Sequence, residues 1–157
     1  MRKLIILDMD GTIADLYGVD NWLQYLREEN PFPYTIAAPM VDMKTLTNLL
    51  MRCKLRGWEI VVTSWLSMNS SKSYKEEVRQ AKRDWLVKVG LDMLIDEIHL
   101  VQYGTPKQRC TKADIQILFD DSADVRKKFT NVNKNRYAVN PVGENLINTL
   151  QKIIEKK

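Results

Sequence analysis

Cysteine is scarce in this chain: Cys53 and Cys110 are the only two among 157 residues. Their separation fits neither a metal-binding nor a redox pair, which excludes a disulfide framework or a cysteine-held zinc as the organising element. No apolar run approaches the length of a membrane span, and Met1-Arg2-Lys3 leads into an apolar segment without a cleavable leader pattern. The expectation is a cytoplasmic protein with reduced thiols. Internal repeats and low-complexity tracts are also missing. Charge of one sign is not concentrated: 24 Lys and Arg and 20 Asp and Glu are scattered, so the formal charge of +4 describes a solvated surface before a nucleic-acid footprint. Histidine occurs once, as His99 in an apolar segment, where a packed core residue is expected rather than a base. With 45% hydrophobic and 28% charged residues, the composition is that of an ordinary globule. The length suits one domain, residues 1–157, and is too short for two comfortable ones.

The most informative segment is Leu4-Ile5-Ile6-Leu7-Asp8-Met9-Asp10-Gly11-Thr12, an apolar strand that runs into two carboxylates one residue apart and then a glycine turn. Alternation along an extended chain puts Asp8 and Asp10 on the same side, so their oxygens can converge at the strand's carboxyl end. Converging carboxylates repel unless a cation lies between them. A hard divalent ion such as Mg²⁺ takes oxygen ligands and would let both acids stay ionised beside a phosphate. The plainer reading of the same residues is a surface turn after an edge strand.

Downstream, strands alternate with helices. A short helix over 21–29 ends at Asn30-Pro31-Phe32-Pro33-Tyr34, because each proline disfavours helix for the residue before it. Asp42 caps a helix whose apolar residues Met43, Leu46, Leu49, Leu50 and Cys53 recur at helical spacing, and Gly57 ends it. The second strand is Trp58 to Val62. Ser73 and Glu76 have capping-box spacing at the head of a helix with buried face Val78, Ala81, Trp85, Leu86 and Val89. The third strand spans Glu97 to Val101, and Thr105-Pro106 opens a short helix. The fourth strand is Ile115 to Phe119, followed by a helix from Ser122 to Phe129. The fifth is Arg136 to Val139, and Gly143 to Glu155 forms an amphipathic closing helix. Such alternation predicts a parallel sheet covered on both faces.

Four of these segments resemble the motifs of the haloacid dehalogenase superfamily of phosphotransferases. Asp8, Asp10, Gly11 and Thr12 match the first, and Ile60-Val61-Val62-Thr63-Ser64 the second. The third is a lysine ahead of the last core strands. The fourth is the acidic pair ending Ile115-Gln116-Ile117-Leu118-Phe119-Asp120-Asp121-Ser122. The resemblance implies an α/β, Rossmann-like three-layer sandwich with strand order 3-2-1-4-5 and a minimal cap insertion, residues 15–40, after the first strand. In that order the chain changes direction between the first and fourth strands, and ligands bind at such switch points.

The resemblance also implies roles. Asp8 is the expected nucleophile, forming an aspartyl-phosphate, and Asp10 the acid and base for leaving group and water. Mg²⁺ is expected on Asp8, the Asp10 main-chain carbonyl, Asp120 and Asp121. Thr63, with the Ser64 N–H, would bind phosphate, and Lys107 would hold Asp8 against the phosphoryl group, with Lys112 as the competing lysine. Asp124 could orient a metal-bound water, or be a plain first-turn acid. Retention of Asp10 points to phosphate esters over haloacids.

The expected function is therefore a Mg²⁺-dependent phosphomonoesterase acting on a small phosphorylated metabolite, with a nucleoside monophosphate as the candidate; Asp8 to Leu16 loosely resembles the 5'(3')-deoxyribonucleotidase branch. Phe32, Tyr34 and Trp65 are the candidate substrate contacts, whereas Trp22 reads as core. A phosphatase of polynucleotide ends or phosphoproteins is the first alternative, and a non-catalytic phosphate-binding module the second.

Overall fold

Five parallel strands form the central sheet of the computed structural model, which describes residues 1–157: β1 (Lys3–Leu7), β4 (Trp58–Trp65), β5 (Glu97–Val101), β6 (Ile115–Phe119) and β7 (Arg136–Val139). Their order is β5-β4-β1-β6-β7, which is the expected 3-2-1-4-5 arrangement. The central strand β1 is an almost continuous apolar run because both faces of the sheet are covered there, whereas the edge strands β5 and β7 are only partly buried. Ile5, Leu7, Ile60 and Val62 pack against α3 (Met43–Leu55), α4 (Lys72–Lys88) and α6 (Asn145–Glu155) through Leu46, Leu50, Val78, Trp85, Leu146 and Leu150. On the other face, Leu4, Ile6, Val61 and Leu118 meet Val125 and Phe129 of α5 (Ala123–Thr130). The register sets Leu7 beside Val62 and Phe119, so the next residue of each strand, Asp8, Thr63 and Asp120, reaches the same carboxyl-terminal edge.

The excursion after β1 is held at its base by a short antiparallel pair, β2 (Ala14–Asp15) with β3 (Ala38–Pro39). It carries α1 (Trp22–Arg27) and α2 (Phe32–Ile36). The second of these corrects the sequence reading. Prolines were expected to end structure here, but Pro33 lies in the first turn of α2, where a missing N–H leaves no intrahelical bond unmade. The break falls earlier, at Glu29, whose φ is 51°.

Other boundaries shift. The cap of α4 is Ser71, whose Oγ accepts from Tyr74 N at 3.2 Å, rather than Ser73. Strand β4 continues to Trp65, three residues past Val62. Thr105-Pro106 leads only into a 3-10 turn, Lys107–Arg109. His99 is not core: β5 is an edge strand, and the half-buried imidazole pairs with Glu97 at 2.9 Å. Cys53 is buried and Cys110 half-buried, both as free thiols. No helix is long and apolar enough to cross a membrane.

Candidate active site

The turn that leaves β1 is tightly wound, with Met9 O accepting from the N–H groups of Thr12, Ile13 and Ala14 at 3.0 Å each. Gly11 makes it possible. Its φ is 78°, and a Cβ there would lie 2.3 Å from Asp121 Oδ2, so glycine serves both the left-handed backbone and the close approach of the acidic pair. Asp8, Asp120 and Asp121 each offer a carboxylate oxygen within 4.8 Å of the others, although more than a hundred residues separate the two segments.

Lys107 is the counter-ion of this cluster. It is 5% exposed, and its Nζ donates to Asp8 Oδ1 at 2.8 Å and to Asp120 Oδ2 at 2.6 Å. Burial works against its charge, but Asp8 and Asp120 outweigh it and hold the ammonium above the usual lysine range. Lys112 is exposed and does not enter the site. The remaining bonds orient the acids: Thr12 Oγ1 donates to Asp8 Oδ2 at 3.2 Å, and Ser122 N to Asp120 Oδ1 at 2.9 Å. Burial, with the charge of Asp8 next, pushes Asp120 up from the usual carboxylate range. Burial and the charges of Asp8 and Asp120 push Asp121 up to about 7. Negative charge is thus in excess, and the donor set is all oxygen, the set a hard divalent cation takes. Asp8, Asp120 and Asp121 fit Mg²⁺ on those grounds, with the approach of Asp121 secured by Gly11.

Asp10 stands apart from that triad. Its Oδ2 accepts from Lys82 Nζ at 2.8 Å, and burial raises its carboxyl above the usual range despite that lysine. Sequence reasoning missed Lys82. The available signal was its place in the apolar stripe of α4, four residues from both Val78 and Leu86.

These groups open into a cleft of about 880 Å³. Asp8, Asp10, Ser64, Trp65, Lys107, Asp120 and Asp121 line it, as does Tyr34. Thr63 does not: it is fully buried one position below, and its hydroxyl has no hydrogen-bond partner. Phe32 is a correction. Because α2 buries Pro33 and Tyr34, Phe32 falls on its outer side, where its ring meets Tyr25, centroids 5.3 Å apart, and borders a separate hollow of about 390 Å³. Trp22 is another: α1 has no buried residue, and the indole meets Tyr17 edge-on at 5.0 Å on the cleft wall. Trp65 faces Tyr103 at 4.9 Å, and its Nε1 donates to Thr105 O at 2.8 Å. Asp124 is exposed and pairs with Lys128 at 2.9 Å.

No protein-family model and no curated protein matches the sequence. Solved structures do. D,D-heptose 1,7-bisphosphate phosphatase from Burkholderia thailandensis superposes with a TM-score of 0.58 at 11% identity, over 99% of this chain and 100% of that one. The enzyme of the same name from B. bronchiseptica, solved with magnesium and phosphate, gives 0.57 at 13% identity over 99% of each chain. At such identities the likeness is one of fold: the chain shares with these two phosphatases an α/β architecture, here a five-stranded parallel sheet covered by helices on both faces.

Proposed function

We propose that this chain is a magnesium-dependent phosphohydrolase that cleaves phosphomonoesters through an aspartyl-phosphate, as a single domain whose excursion over 15–40 faces the substrate. The observation that carries this reading is the buried Lys107 bridging Asp8 and Asp120 at the floor of an open cleft. A lysine so placed holds Asp8 rigid and stabilises charge gathering on a phosphoryl group beside it.

In the first step the Asp8 carboxylate attacks phosphorus in line, the bond to the ester oxygen breaks, and Asp10 gives that oxygen a proton. In the second, water attacks the phosphorus of the acyl phosphate, Asp10 takes its proton, and inorganic phosphate leaves with Asp8 restored. The raised Asp10 carboxyl suits a group that must deliver a proton. Mg²⁺ held by Asp8, Asp120 and Asp121, with the Asp10 carbonyl, would neutralise phosphate oxygens. The binding of magnesium and phosphate by the B. bronchiseptica enzyme supports this assignment by analogy of fold.

The substrate class we favour is the nucleoside monophosphate. Two aromatic pairs, Tyr17 with Trp22 and Trp65 with Tyr103, border the cleft. Stacking on a base is worth about 1–3 kcal/mol, roughly tenfold or more in preference. The test compares a mononucleotide, a sugar phosphate and a 5'-phosphorylated oligonucleotide, with Mg²⁺ and with chelator, at two salt concentrations. The mononucleotide should have the highest kcat/KM, Trp65→Ala should raise its KM, and Asp8→Asn should abolish turnover while leaving the protein folded. Activity that survives thorough chelation, or an active Asp8→Asn, overturns the mechanism. Best turnover on the sugar phosphate overturns the nucleotide choice, and a steeply salt-dependent preference for the oligonucleotide assigns polynucleotide ends instead.

A further inference from the structure

Helix α4 buries an apolar stripe of Val78, Ala81, Trp85 and Leu86, and within that stripe lies one charged side chain, Lys82, 1% exposed. A buried ammonium is costly unless every N–H is matched, and lysine has three donors and no acceptor. Lys82 Nζ finds three acceptors: Asp10 Oδ2 at 2.8 Å, Ser64 Oγ at 2.7 Å and Trp65 O at 2.7 Å. It also lies 5.2 Å from the ring centroid of Tyr34, which comes from the excursion after β1. One side chain thus ties together the turn after β1, the end of β4 and the wall of the cleft.

The direction of these bonds matters more than their number. An ammonium only donates, so Ser64 Oγ accepts from Lys82, and the Ser64 hydrogen is left to point elsewhere. Ser64 lines the cleft, which makes that hydroxyl a donor for an anion bound there. By the same logic Oδ2 of Asp10 is occupied, and no protein hydrogen bond reaches Oδ1. We propose that Lys82 is a positioning residue for the proposed phosphohydrolase chemistry: it turns Asp10 so that Oδ1 meets the leaving group, and it turns the Ser64 hydroxyl toward phosphate. This inference rests on the phosphohydrolase reading and adds to it a residue outside all four motifs.

A lysine that merely pinned α4 to the sheet would, when removed, depress every substrate alike. A positioning lysine predicts a split by leaving group, because an aryl phosphate departs without a proton and an alkyl phosphate does not. The experiment measures single-turnover phosphorylation of wild type, Lys82→Met, Lys82→Gln and Ser64→Ala, with p-nitrophenyl phosphate and a nucleoside monophosphate, alongside unfolding midpoints. Positioned acid catalysis is worth about 10²–10⁴-fold. Lys82→Met should therefore lose at least about 100-fold on the alkyl ester, and roughly tenfold less than that on the aryl ester. Lys82→Gln, which still donates, should recover part of the alkyl rate. Ser64→Ala should raise KM for both esters several-fold without a split.

Equal losses on the two esters, or an unaffected Lys82→Gln and Lys82→Met, overturn the proposal. If Lys82→Met does not fold, the Gln variant carries the same comparison, since it keeps donors in the buried pocket. Wild type inactive with Mg²⁺ on both esters, on a sugar phosphate and on a 5'-phosphorylated oligonucleotide overturns the phosphohydrolase reading itself. An active wild type with no leaving-group split in the variants overturns only the role of Lys82.

Discussion

Lys107 and Lys82 solve the same problem for different carboxylates, and only one of them was legible. Lys107 follows a proline turn ahead of an acidic strand, in the place where the motif resemblance puts a lysine. Lys82 lies in a helix, where a lone lysine among apolar residues reads as a snorkelling surface side chain; only the fold shows that its ammonium ends beneath Asp10. The aromatics divide in the same way. Trp65 ends a strand at the site, whereas Phe32 turns outward because α2 buries its neighbours Pro33 and Tyr34, which nothing in its local sequence announces. Lys107 also allows a stability prediction. Removing one partner of a buried ion pair costs about 3–5 kcal/mol, because a charge is left unmatched. Lys107→Met leaves Asp8 and Asp120 facing each other without it, so urea unfolding without Mg²⁺ should show a loss of that order. Mg²⁺ should restore part of it, since a cation can take over the same carboxylates. An unfolding curve identical to wild type would mean that Lys107 is not the counter-ion.

At the scale of elements, the sheet strands and the three long helices were readable, while the two-residue strands and α2 were not. β5, β6 and β7, apolar at most positions between turn signals, begin and end where the pattern puts them, and β1 follows from its apolar run ahead of Asp8. The two-residue strands β2 and β3 have no periodicity to read, and they exist because the ends of the excursion meet across the fold. Asp96 shows how tertiary contacts anchor an element that local sequence only delimits. It precedes β5, and its carboxylate receives Lys54 of α3 at 2.6 Å and Ile60 N of β4 at 2.8 Å. Burial disfavours the charged form, but Lys54 and the Ile60 N–H outweigh it and hold the carboxyl below its usual range. A depressed folded-state value contributes stability that is present above the unfolded value, about 3.9, and is lost as pH falls through the lower folded value. Unfolding free energy should therefore fall with acid more steeply in wild type than in Asp96→Asn. Chemical unfolding at a series of pH values checks this, and parallel curves for the two proteins would remove Asp96 from the acid response.

For the whole molecule, the sheet order does what neither motif could do alone, since it brings Asp8 and the Asp120-Asp121 pair to one edge from opposite ends of the chain. The cost is an acidic cluster beneath the cleft, which links metal binding to folding. An ion that binds the native state and not the unfolded chain stabilises by mass action, about 2.7 kcal/mol at a hundred times Kd. For a chain of this size each kcal/mol raises Tm by about 2–4 °C, so near-saturating Mg²⁺ should add roughly 5–10 °C. Asp121→Asn should shrink that shift, because it removes one of the three oxygen donors while also relieving repulsion in the metal-free protein. Its Tm without Mg²⁺ should therefore be equal to or above that of wild type. Ca²⁺, which accepts more ligands in looser geometry, should also stabilise the fold yet fail to support turnover. Calorimetry of both proteins with each ion, with phosphate release assayed in Mg²⁺ and in Ca²⁺, checks the full set. A wild-type Tm unmoved by millimolar Mg²⁺, together with an Asp121→Asn Tm below wild type, would mean that the three carboxylates support the fold themselves and are not poised for a cation.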